Sequence, residues 1–224
     1  MSDQAMKKCP LCGDEIRAHY VVSIDMGSPG SKEKESKFAW CDNGENQKGS
    51  LDIDKLISVL SSKTYFAMGI EAPLFIPMRP NKLNDFTGAR EGIDGNHPWS
   101  AKSGAYVTAI NLGFLASLLT WIHQENHDIA VTTDMEAWEK RGSNCILIWE
   151  SFISGRDGSE KSAKSLNPHI ADAQKALDLF EDRSFVEKLC SKDYLNLPLA
   201  IAKELGIPTI ESSTVLIVKG EKSC

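Results

Sequence analysis

Three apolar runs in this chain each carry a carboxylate near their end: Tyr20-Val-Val-Ser-Ile-Asp-Met-Gly27, Lys63-Thr-Tyr-Phe-Ala-Met-Gly-Ile-Glu-Ala-Pro73 and Cys145-Ile-Leu-Ile-Trp-Glu-Ser-Phe152. Short apolar runs bounded by turn residues read as strands. A run that is apolar at successive positions, with no alternation, has to be buried on both faces, which is the habit of parallel strands covered by helices. In an open sheet of that kind the strand ends converge on one edge, and ligands bind there.

The segments between the runs supply the helices. Asp52 is placed to cap a helix from Ile53 to about Ser61, with Ile53, Leu56, Ile57 and Leu60 on one face. Residues 169–183 repeat apolar side chains at helical spacing through Ile170, Ala173, Ala176, Leu177 and Phe180, and residues 197–205 form a further helix. Lys37-Phe-Ala-Trp-Cys41 follows a Gly/Pro-rich turn and reads as a strand antiparallel to the first. A strand near 129–132, a short helix over 134–141 and a closing strand Thr214-Val-Leu-Ile-Val-Lys219 complete the pattern. Strands alternating with helices predict an α/β fold: a mixed sheet, antiparallel hairpin first and parallel strands after, flanked by helices. Residues 1–20 are expected to be a flexible tail and 21–224 a single domain, an ordinary size for one core.

Residues 103–122 carry no formal charge and approach spanning length. Asn111 near the middle would leave an amide in hydrocarbon, so a core helix is expected and no membrane partner. The first residues lack an apolar h-region, and six cysteines show no regular spacing, so a reducing, cytoplasmic location is expected. With 25 Lys and Arg against 31 Asp and Glu, the net charge of -6 excludes a histone-like basic nucleic-acid binder. It leaves room for a nuclease with a local basic rim.

Asp25, Glu71 and Glu150 end strands, and Asp172 lies near the start of the helix after the third run. Taken singly, each is most simply a solvated strand or helix end. Taken together they are candidate catalytic groups, because two carboxylates about 4 Å apart repel by about 4 kcal/mol at an effective dielectric of about 20 and need a cation between them. Oxygen-only ligands suit Mg²⁺ or Mn²⁺, and such ions promote attack of water on a phosphodiester.

The ordered stretches Val22-Ser-Ile-Asp-Met-Gly27, Gly69-Ile-Glu-Ala-Pro-Leu74, Arg90-Glu-Gly-Ile-Asp-Gly-Asn-His-Pro-Trp-Ser100, Trp149-Glu-Ser-Phe-Ile-Ser-Gly155 and His169-Ile-Ala-Asp-Ala173 span nearly the whole chain. Their order resembles the ribonuclease H-like superfamily, and more narrowly a family of predicted ribonuclease H-like nucleases without an established function. The resemblance implies Asp25, Glu71, Glu150 and Asp172 as catalytic positions, with Asp25, Glu71 and Asp172 as metal ligands, and nucleic acid as a partner. Two features depart from that pattern. Residues 42–51 are polar where a third hairpin strand is expected, and the last helix offers Asn196 where an acid is expected, which leaves Asp172 to supply the late-helix carboxylate.

Arg79, Arg90, His97 and Lys102 fall in or beside the long segment after Glu71 and are candidate phosphate-binding residues, with a solvated loop as the plain alternative. Cys9-Pro-Leu-Cys12 is half of a zinc site, and a closed site needs four ligands, so two free thiols in a tail are the simpler reading. No Gly-x-x-x-x-Gly-Lys-Ser/Thr loop and no Gly-x-Ser-x-Gly elbow occurs, which argues against P-loop and serine-hydrolase chemistry. Three functions stay open on these residues: a divalent-metal-dependent nuclease, a non-catalytic binding module on the same fold, and an ATP-using relative of actin and the sugar kinases. The last ordinarily needs two such domains.

Overall fold

The computed structural model describes residues 19–26, 38–44, 46, 49–79, 81–82, 85, 87–90, 93–94, 98–100, 104–153, 167–183, 186–211 and 214–219. Their strands are β1 (Tyr20–Asp25), β2 (Ala39–Asp42), β3 (Tyr65–Ile70), β4 (Phe75–Pro77), β5 (Ala130–Thr132), β6 (Cys145–Phe152), β7 (Val186–Cys190), β8 (Tyr194–Asn196) and β9 (Thr214–Lys219). The helices are α1 (Ile53–Ser61), α2 (Gly104–Glu125), α3 (Met135–Arg141), α4 (Pro168–Asp182) and α5 (Leu197–Glu204).

The sheet is mixed, with strand order β2-β1-β3-β6-β9-β7 and β5 also on β6. β1 and β2 form the antiparallel pair, while β1, β3, β6 and β9 run parallel. This is the α/β arrangement expected from the alternation of elements. Among the described residues of 42–51, where a third hairpin strand is expected, one bridge forms, in which Trp40 and Ser50 exchange backbone hydrogen bonds of 2.9 and 2.8 Å.

Two features carry no sequence pattern. β7 pairs only with β9, at the sheet edge, and an edge strand of mixed polarity shows no alternation to read. β4 and β8 are three residues each and pair with one another outside the main sheet.

Successive strand residues face opposite sides, and the two sides have separate cores. One holds Val22, Ile24, Met68, Ile70 and Ile148 with side chains of α1, α2 and α5. The other holds Val21, Ala67, Leu147, Trp149 and Val218 with α3 and α4. Gly69 is required on the second side, because a Cβ there would lie 2.1 Å from the Trp149 ring. That indole is stacked on Phe180 of α4, with ring centroids 4.7 Å apart.

α2 builds the first core with Val107, Leu115, Leu118, Leu119 and Ile122. By length and composition it could cross a membrane, and its most apolar window is 39% buried. The inner face is core, as expected; the outer face is exposed and carries Tyr106, Ile110, Leu112 and Trp121.

Candidate metal centre

Asp25, Glu71 and Asp172 each offer a carboxylate oxygen, and these oxygens all lie within 4.8 Å of one another. Asp25 is the last residue of β1 and is 4% exposed. Glu71 continues the parallel ladder one step past β3, its amide donating to the Ile24 carbonyl at 2.8 Å. Asp25 and Glu71 therefore extend the face that carries Val21, Ala67 and Trp149, the side covered by α4.

α4 brings the third acid. Asn167 caps it by accepting from the His169 amide at 3.0 Å, and Pro168 occupies the first turn, where a missing N–H costs nothing. Its buried stripe is Ala173, Ala176, Leu177 and Phe180. One turn toward the N-terminus the same stripe falls on His169 and Asp172. The apolar part of the stripe packs under the sheet and the polar part meets the strand ends. Nδ1 of His169 lies 2.8 Å from Oδ2 of Asp25.

Three charges within 4.8 Å of one another would repel by at least about 3.5 kcal/mol per pair at an effective dielectric of about 20. The donor set is oxygen-only, which is the set Mg²⁺ and Mn²⁺ prefer. The row of the sheet that holds Asp25 and Glu71 continues onto Ser151, because Ile70 pairs with Glu150 one step earlier. Ser151 Oγ is buried with no hydrogen-bond partner among the described residues, and so are Ser23 Oγ and Trp149 Nε1 in the row beneath.

Glu150 is not brought to this cluster, contrary to the expectation that it shares the site. It stands in register with Ile24 and Ile70, on the opposite face. There it is fully buried, with Oε1 2.7 Å from Arg90 Nη2, while Oε2 accepts from Arg90 Nη1 at 2.8 Å and from the Leu74 amide at 2.9 Å. Arg90, expected at a phosphate-binding rim, is 1% exposed and also grips Asp94. Burial disfavours the charged guanidinium, but Glu150 and Asp94 outweigh it and hold its pKa above the usual arginine value. The group binds the segment after β3 to the end of β6. Arg79 is paired with Asp85 and donates to the Ala89 carbonyl, which closes its own turn. His97, Lys102, Cys9 and Cys12 lie outside the described residues.

His169 is the neighbour of the acids that residue patterning passed over. The signal that finds it is the α4 stripe extended by one turn. No family model matches this chain, and no curated protein or solved structure matches it either.

Proposed function

We propose that the protein is a divalent-metal-dependent phosphodiester hydrolase of ribonuclease H-like type. The observation that carries this reading is the convergence of Asp25, Glu71 and Asp172 from two strand ends and one helix. The strand sequence supports it: an antiparallel pair, a helix, a parallel strand ending in an acid, and a later helix bearing the third carboxylate.

Asp25, Glu71 and Asp172 are the residues that would hold Mg²⁺ or Mn²⁺. When bound, such an ion supplies Lewis-acid chemistry: acidification of a water and neutralisation of charge developing on phosphate. The chain's own contribution is placement. His169 fixes one oxygen of Asp25, and burial of Asp25 keeps competing water away from it. The Ser151 hydroxyl, which has no hydrogen-bond partner among the described residues, would donate to, or accept from, a group bound beside Glu71.

Thermal melting with and without Mn²⁺ tests the reading. Binding at a hundredfold excess over Kd adds about 2.7 kcal/mol, or roughly 5–10 °C in Tm for a chain of this size. The shift is expected in the native protein together with Mn²⁺-dependent cleavage of a phosphodiester, and neither in Asp25→Asn or Asp172→Asn. No shift, or an equal shift in both variants, overturns it.

One observation favours the non-catalytic alternative. Arg79 and Arg90 are both committed to ion pairs, which removes two cations from a polyanion-binding rim. A module of that kind would show no salt-dependent affinity for short DNA or RNA, whereas phosphate contacts give a steep salt dependence.

A further inference from the structure

From Gly104 to Gln124 the chain has no Asp, Glu, Lys or Arg, although α2 is open to solvent along one whole side. Ala105, Ala109, Gly113, Ser117 and Trp121 recur every fourth residue, and all five are exposed. Tyr106, Ile110 and Leu112 flank that ridge, Tyr106 being 54% exposed and Trp121 50% exposed. A solvated helix face ordinarily carries charged residues, and contiguous exposed apolar surface on this scale marks an interaction site.

We propose that the outer face of α2 is a two-fold interface with a second copy of this chain. Charge selects the partner. Each copy carries a net charge of -6, so two copies repel everywhere except where a face is neutral, and a basic partner would choose an acidic face over this one. Shape agrees. With the helices antiparallel and crossing at Gly113, Ala109 of one copy meets Ser117 of the other, and Ala105 meets Trp121, a small residue against a large one at each end. A Cβ built at Gly113 meets nothing within 4 Å, so the crossing point is open for an approaching backbone. Ridges of residues spaced by four interdigitate in this way, and a two-fold contact uses one self-complementary patch.

The area is sufficient. A helix of 22 residues is about 33 Å long and about 10 Å across, and its exposed side offers several hundred Å², approaching the roughly 800 Å² per partner of a standard interface. A membrane is the weaker occupant. The inner half of α2 is locked into the core, and Glu125 and Asp128 stand at its C-terminal end where an interfacial helix would carry Lys or Arg.

Sedimentation equilibrium of the full chain tests the proposal. The native protein at about 100 μM is expected at twice the chain mass of 24.7 kDa. Gly113→Lys adds a charge at the crossing point and improves helix propensity, so its Tm should be equal or higher while the dimer Kd rises at least about tenfold. Trp121→Gln is the second variant, expected to weaken the dimer with near-ultraviolet circular dichroism otherwise retained. A native protein of single-chain mass, a dimer unaffected by both variants, or flotation of single chains with phosphatidylcholine vesicles overturns it.

Discussion

The His169 imidazole and the Asp25 carboxylate are joined by a 2.8 Å contact across 144 residues of sequence. It ties the first turn of α4 to the tip of β1 and fixes the orientation of the Asp25 carboxylate. Outer partners of metal-binding carboxylates typically account for 10–100-fold in affinity. His169→Ala is therefore expected to weaken Mn²⁺ binding by about that factor in a calorimetric titration. His169→Asn, which can keep a short polar contact, should retain more affinity. Equal affinity in the native and alanine proteins would make the contact incidental.

Arg90, Asp94 and Glu150 form a second charged group, and its role is structural. Arg90→Met leaves two carboxylates buried without their cation, at a cost of about 3–5 kcal/mol in urea unfolding. Arg79→Met removes a partly exposed pair and should cost under about 1 kcal/mol. If Arg90 instead bound substrate, its loss would change affinity and leave stability nearly intact.

Burial raises the Cys41 thiol from 9.0 to about 12, with Asp42 and Asp178 adding to it, and raises the Cys145 thiol from 9.0 to about 11. An unfolded chain ionises both near pH 9 while the folded chain keeps them protonated. The stability they contribute is complete below pH 9 and is lost as pH rises from there to about 11–12. Urea midpoints are expected to fall across that window, and to fall less in Cys41→Ala and Cys145→Ala relative to their own values at pH 8. At pH 8 neither thiol should react with a disulfide reagent in the folded protein, whereas the exposed Cys190 should.

The order of the elements was legible because periodicity reports burial directly. Doubly buried β3 and β6 read as unbroken apolar runs, and α4 shows its stripe. β7, β4 and β8 were not legible. An edge strand and three-residue strands bury too little to imprint a pattern.

Apolar runs alone placed the acids on the strands, Asp25 as the last residue of β1, Glu71 one step past β3 and Glu150 inside β6. Which of those acids meet depends on strand register and on the docking of α4. Strand side chains alternate faces, so a single step of register separates one side of the sheet from the other. Parallel pairing aligns Glu150 with Ile24 and Ile70 and sends it to Arg90, while Asp25 and Glu71, one step further along, turn toward Asp172 and His169.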